Sequence, residues 1–280
     1  MEAKWSFAPK SAYYNIKTRL CSFRFLTVLL MLLAIFDMYL RDFRENAQMM
    51  ELRANLAIFP FLQADGYFMK VLMLGVIYFY SNVPFREQNR LFALNRLGKP
   101  RWGRQNIAYI IGSGLILTLV LAVLSILLVL PVGTFSLSWD AVYKTLALTG
   151  GNRQLLFHIN YHIMRAYPPA VLMSVSLLLD WIVISFVGMA MYTVSLFGSR
   201  TMSCVVGAVF AFLPSIGNWV PISLYFSPTA WLDCDNWRIG ADSTKPDLAY
   251  MIVLGLFLNF LLILLSQARV RKMEWRAMEE

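Results

Sequence analysis

The chain has 280 residues, 59% of them hydrophobic and only 15% charged, whereas an ordinary soluble domain carries charge on about a quarter of its positions. That length leaves room for several membrane spans of about 20 residues and modest loops, and no stretch reads as a large soluble domain. The net charge of +9 becomes informative only once it is assigned to the two sides of a membrane.

Taken in order, residues 1–20 form a basic N-terminal region. Tyr13, Ile16, Leu20 and Phe23 fall on one side at helical spacing, flanked by Lys10, Lys17 and Arg24. This pattern predicts an interfacial elbow helix on the cytoplasmic face; the simpler alternative is a basic tail. No short apolar core with a cleavage site occurs there, so no cleaved signal peptide is expected. The first span is predicted over 21–40, with Asp37 near its outer end beside Arg41 and Arg44. Residues 51–63 are partly apolar and contain Pro60, which suggests an external interfacial piece.

A second span over 67–80 leads into the most basic loop of the chain, residues 83–102, VPFREQNRLFALNRLGKPRW. Ser81 or Asn82 can cap a helix whose first turn accepts Pro84, and Gly98 followed by Pro100 reads as its stop. The predicted short helix, 85–97, is apolar on more than one side. It either lies on its own membrane or docks into a partner protein. The third span, 107–130, ends at Pro131, and Gly112 and Gly114 leave a smooth patch for a neighbouring helix. Residues 133–167 form the largest external segment. Their aromatics, Trp139, Tyr143, Phe157, Tyr161 and Tyr167, suggest one or two short helices at the outer interface.

The fourth span, 170–197, ends in the tight turn Gly198-Ser199-Arg200. The fifth begins near 202 and reaches 213, where Pro214, Gly217, Pro221 and Pro228 break it. Because residues 215–231 remain apolar, a broken, partly re-entrant outer hairpin is expected. A polar loop over 233–247, a sixth span over 248–265 and a cytoplasmic tail complete the reading. The fold class is therefore all-α with six transmembrane helices and both termini cytoplasmic. It is one unit over 1–280, divided into the elbow region 1–20, the bundle 21–265 and the tail 266–280. On this assignment the cytoplasmic segments hold 16 Lys and Arg against 5 Asp and Glu, and the external segments hold 9 of each. The excess is a topology signal and needs no nucleic-acid partner, while membrane lipids are the expected surroundings.

Chemistry-bearing motifs are few. No G-x-x-x-x-G-K-[ST] loop occurs, so this chain is not expected to hydrolyse ATP alone. His158 and His162 stand at i,i+4 in HINYH, but no Glu follows the first and no third His exists, so no metal site is expected. The cysteines Cys21, Cys204 and Cys234 show no metal spacing or disulfide framework. Asp180 lies about a dozen residues into the fourth span. It is either a functional acid, in proton coupling or substrate contact, or a structural one bonded to a neighbouring span with help from Ser174 or Ser176.

The run SNVPFREQNRLFALNRLGKPRW resembles the cytoplasmic coupling segment of ABC-2-type permeases, the membrane subunits of one class of ABC exporter. In that family an acidic or polar residue near the helix start precedes an arginine-rich helix, a Leu-Gly turn and a basic-Trp lead into the third span. FSPTAWLD at 226–233 is similar to the segment after the family's re-entrant hairpin. The large external domain of some members is absent here. The resemblance implies a transport subunit rather than an enzyme, paired with a second permease subunit, identical or homologous, in a bacterial plasma membrane. It also implies a cytosolic ABC ATPase carrying ATP and Mg, with no cofactor on this chain. Phe85, Arg86, Glu87, Arg90, Leu91, Phe92, Leu94 and Arg96 would form the coupling helix. Asp180, Pro214, Trp219 and Trp231 would lie along the translocation path. Two other classes stay open: a proton-coupled secondary transporter built on Asp180, and a membrane-embedded enzyme. Against these stand the missing internal repeat and the absence of a Glu pair, His cluster or Ser/Lys dyad within the spans.

Overall fold

The computed structural model describes residues 22–83, 98–148, 155–217, 220–240 and 244–272. The expected elbow helix and coupling helix, Trp219 and the last residues of the tail lie outside these. In chain order the helices are α1 (Phe23–Met49), α2 (Phe59–Gln63), α3 (Gly66–Tyr80), α4 (Lys99–Val129), α5 (Ala141–Leu148), α6 (Tyr161–Ala166), α7 (Pro169–Phe197), α8 (Arg200–Phe212), α9 (Pro214–Gly217), α10 (Ser223–Phe226) and α11 (Leu248–Lys272). Four are long and apolar enough to cross a membrane: α1, α4 with the 3₁₀ turn after it, α7 and α11. α3 and the run from α8 to Ile216 are apolar but shorter.

Local chemistry sets the helix ends. Ser22 caps α1 through its hydroxyl, which accepts from the Phe25 N–H. Asp65 caps α3, its carboxylate accepting from the N–H groups of Tyr67 and Phe68. Ser199 caps α8, so α7 can end and α8 begin within Gly198-Ser199. Each cap satisfies donors that the first helical turn leaves open. α4 starts at Lys99, two turns before the predicted span, because Pro100 suits a first-turn position.

α7 is the central helix, packed against α11, α8, α4 and α3, and every residue from 182 to 193 along it is buried. Close approach requires small residues at several crossings. A Cβ on Gly188 would stand 2.8 Å from Ile110 and 3.0 Å from the Tyr80 ring. One on Gly114 would stand 2.9 Å from the Ser185 hydroxyl. The buried Tyr80 hydroxyl bonds to the Ile110 carbonyl at 3.0 Å beside this contact.

The six longer helices alternate in direction, so their ends gather in two groups. At one end Arg24 of α1 donates to the Ser81 hydroxyl after α3, and Arg200 of α8 donates to the Ser81 carbonyl, both at 2.6 Å. Arg269 of α11 donates to Leu196 of α7 and lies over the Phe197 ring, while Gly103 of α4 packs against Val270. Arg24, Lys99, Arg101, Arg104, Arg200, Arg269, Arg271 and Lys272 belong to this end, and no Asp or Glu does among the described residues. Asp37, Asp65, Asp140, Asp233, Asp235 and Asp247 belong to the other end, interspersed with Arg and Lys.

That opposite end carries a packed cap. Residues 54–63, expected as an external interfacial piece, are instead buried throughout. Ala54–Asn55 pairs in parallel with Gly133–Thr134, and Asn55 donates to the Ser136 carbonyl at 2.7 Å. The aromatics after α4 also turn inward. Trp139, Tyr143 and Phe157 are buried, and Phe61 meets Trp139 and Tyr143 at ring separations of 5.5 and 6.0 Å. Two short helices, α5 and α6, do form in this segment, but several of its aromatics fill the cap rather than line an interface. Each ring pair contributes about 0.5–1.5 kcal/mol beyond the area it buries.

Candidate functional site

The breakers after α8 divide the chain as their residue types dictate. α9, α10 and the 3₁₀ turns Pro228–Leu232 and Cys234–Asn236 follow one another without a continuous helix. Residues 228–232 are all buried, against α7. The polar groups this backbone exposes are taken up locally. Thr229 donates to the Phe210 carbonyl at 2.6 Å, the Trp231 indole to the Leu224 carbonyl at 2.8 Å, and the Trp237 indole to the Trp231 carbonyl at 2.8 Å. The Cys234 thiol faces the Pro60 carbonyl at 3.5 Å, so the two irregular stretches, 54–63 and 228–237, touch.

Between them lies a cavity of about 160 Å³. Its walls include Gln63, Lys70, Pro214, Ser215, Thr229, Asp233 and Asn236. Asp233 accepts from the Asp235 N–H at 2.8 Å and from the Asn236 amide at 3.0 Å. Burial, and then the neighbouring Asp235 carboxylate, push the Asp233 acid up to about 8. Lys70 lies 5.3 Å from the centre of the Tyr67 ring. One wall group reaches deeper: the fully buried Gln63 amide donates to Asp180 at 2.6 Å.

Asp180 is wholly enclosed, about 17 Å along α7 from its first residue by helical rise. Its structural partner is thus Gln63, not a neighbouring long helix. Ser174 bonds back to the Ala170 carbonyl. Ser176, one turn before Asp180 on the same face, is buried with its hydroxyl unpartnered. Among the other expected path residues, Pro214 lines the cavity, whereas Trp231 is fully buried as a hydrogen-bonded pin against Gly255 and Tyr250. Sequence reasoning missed Gln63, Lys70, Thr229, Asp233 and Asn236 as a group. The available signal was a single polar residue closing the apolar run LAIFPFLQ, and an acid directly after AWL.

His158 precedes α6 and His162 lies within its first turn, both exposed, so the i,i+4 spacing does not place them on one helical face. Asp233, Cys234 and Asp235 are the one group of three such side chains gathered within ligand range among the described residues. Both Asp233 oxygens are already accepting hydrogen bonds, Asp235 accepts from Asn160, and burial pushes the Cys234 thiol well above its ordinary value. Hydrogen bonds hold this corner together. A second, larger cavity of about 430 Å³ is mostly apolar and lies between residues 55–57, Ile126, Phe135 and the first turns of α7.

Comparison with protein-family models, with curated proteins and with solved structures finds no match to this chain. What the fold defines is a helical protein with four helices suited to crossing a membrane.

Proposed function

We propose that this chain is the membrane-spanning permease subunit of an ATP-driven exporter, with α1, α3, α4, α7, α8 and α11 as its six spans. The observation that carries the reading is the meeting of two stretches without a continuous helix, 54–63 with its single short helix α2 and 228–237 with its 3₁₀ turns, around a polar cavity beside α7. Irregular backbone at membrane depth is tolerated where protein or a water-filled path satisfies it, and such a path is what a permease needs. α3 and α8, with 15 and 13 residues, are about 22 and 20 Å long, short of the roughly 30 Å hydrocarbon layer. Residues 54–63 and 214–232 make up the remaining depth on the outer side.

The basic end, which holds no Asp or Glu among the described residues, supports a cytoplasmic assignment for both termini. Val83 and Gly98, which flank the segment 84–97, both belong to that end, where a cytosolic ATPase with its ATP and Mg would dock on Phe85–Leu97. A second permease subunit, identical or homologous, completes the translocation unit in a bacterial plasma membrane. Purification of the tagged chain from its native membrane in mild detergent tests this. An ABC-type ATPase should co-purify in stoichiometric amount and hydrolyse ATP. An intact oligomer lacking an ATPase overturns the proposal.

One observation favours a second reading, a cation-coupled carrier: Asp180 is buried at mid-depth. Asp180→Asn separates the two. An ATP-driven exporter keeps transport, because the amide still hydrogen-bonds, whereas a carrier coupled through this acid loses it.

A further inference from the structure

Several buried side chains on or against α7 leave a polar atom without a partner, Ser185 and Asn259 among them, and three of these meet along its first half: Asp180 at Oδ2, Gln63 at Oε1 and Ser176 at Oγ. All three residues are enclosed, with exposures of 0%, 0% and 1%. They are also adjacent. Gln63 donates to the other Asp180 oxygen at 2.6 Å, which holds its own carbonyl oxygen close to the carboxylate. Ser176 precedes Asp180 by one turn, and helical side chains lean toward the N-terminus, so Asp180 tilts over Ser176.

Among the described residues no positive charge answers the carboxylate. Along their middle turns α4, α8 and α11 place no charged side chain, and α3 contributes only Lys70. Lys70 and Asp233 line the cavity on the far side of Gln63. The polar group from α11 is Asn259, whose amide is bonded to the Ile182 and Gly255 carbonyls. A lone carboxylate in this setting is costly unless its charge is neutralised, and each buried oxygen without a hydrogen bond calls for a partner.

We propose that Asp180, Gln63 and Ser176 form a binding site for one small monovalent cation, a proton or sodium, reached from the outer cavity through Gln63. All three free atoms are oxygens, which suits a hard cation. A proton on Oδ2 would donate to the Gln63 carbonyl oxygen. A sodium ion would take Oδ2, Oε1 and Oγ as ligands. In either case the charge of Asp180 is cancelled: sodium gives all three atoms a partner, and a proton joins Oδ2 to Oε1 while the Ser176 hydroxyl donates to the same carboxyl group. Gln63 is the positioning residue, since it faces the cavity on one side and holds the carboxylate on the other. The site stands whichever energy source drives transport.

The test uses thermal unfolding of the purified full-length protein. In one arm sodium replaces choline at constant ionic strength. In the other, pH falls in sodium-free choline buffer. A bound cation stabilises the folded state by mass action, so the wild type should gain several degrees in one arm or the other. Both arms are run in an Asp233→Asn background, which removes that residue's own gain in stability as pH falls, so the responding arm identifies the ion. Asp180→Asn should be flat in the sodium arm and should lose the excess acid response of the wild type. Ser176→Ala, which leaves α7 intact, should weaken the response several-fold, and it carries the test if Asp180→Asn does not fold. A wild type that is flat in both arms, or variants that respond as the wild type does, would overturn the site.

Discussion

Gly255→Ala tests the contact that seats α11 against the central helix. The new methyl would stand 2.6 Å from Ile182 Cγ2 and 3.5 Å from the Trp231 ring. Carbon atoms pack at about 3.5–4.0 Å, so one side must yield roughly 1 Å. Ile182 is 3% exposed, so its side chain is enclosed by neighbours. If α11 retreats instead, the bond from Asn259 to the Ile182 carbonyl stretches from 3.1 Å to about 4 Å, beyond hydrogen-bond range. Overpacking costs about 1–3 kcal/mol and the lost bond about 0.5–1.5 kcal/mol. The better helix propensity of Ala returns about 1 kcal/mol. The expected net loss is about 0.5–3.5 kcal/mol, read as a lower unfolding midpoint in detergent. Ile182→Ala removes the clashing methyl, so Gly255→Ala should cost almost nothing in that background. An equal cost of Gly255→Ala with and without Ile182 would refute the reasoning, since the loss could not then come from this contact.

Other expectations follow from the cap and from the proposed docking loop. The Asp233 acid is raised to about 8 in the folded protein, against an ordinary value near 4, so the folded state holds its proton more tightly. Its contribution to stability is full below about pH 4 and is lost as pH rises through about 8; Asp233→Asn should flatten the unfolding profile over that window. Phe92→Ala or Leu94→Ala should weaken ATPase docking by about 1–3 kcal/mol, measured by co-purification and stimulated ATP hydrolysis, while membrane insertion stays normal. Retention of the ATPase by both variants would remove 85–97 as the coupling helix. Trp231→Phe should lower stability by about 1 kcal/mol through loss of the indole bond to Leu224, and no change would mean that the pin carries no weight.

The long helices were legible because continuous apolar runs declare themselves within one window. The predicted spans over 67–80, 170–197 and 248–265 sit within or beside α3, α7 and α11. α1 and α11 run past the predicted ends because their flanking charged turns stay helical, for instance through the ion pair of Asp37 and Arg44. The burial of residues 54–63 was not legible. That stretch is too short to span and holds Pro60, so composition alone makes it a surface piece. Its place depends on partners far along the chain: Ser136, Asp180 and Cys234. The candidate site failed to show for the same reason. Asp180 was conspicuous as a lone acid in an apolar run, but Gln63 gains meaning only from the bond that joins positions 117 residues apart.

Thiol labelling in intact cells addresses the orientation on which the transport reading stands. Arg238 lies exposed at the acid-bearing end and Arg271 exposed at the basic end. Arg238→Cys and Arg271→Cys would each be placed in a background with Cys21, Cys204 and Cys234 removed. A membrane-impermeant thiol reagent should then modify position 238 in intact cells, and position 271 only after the membrane is opened. Labelling of 271 in intact cells, with 238 protected, would contradict the account, because it would put the basic end and the proposed ATPase-docking loop outside the cell.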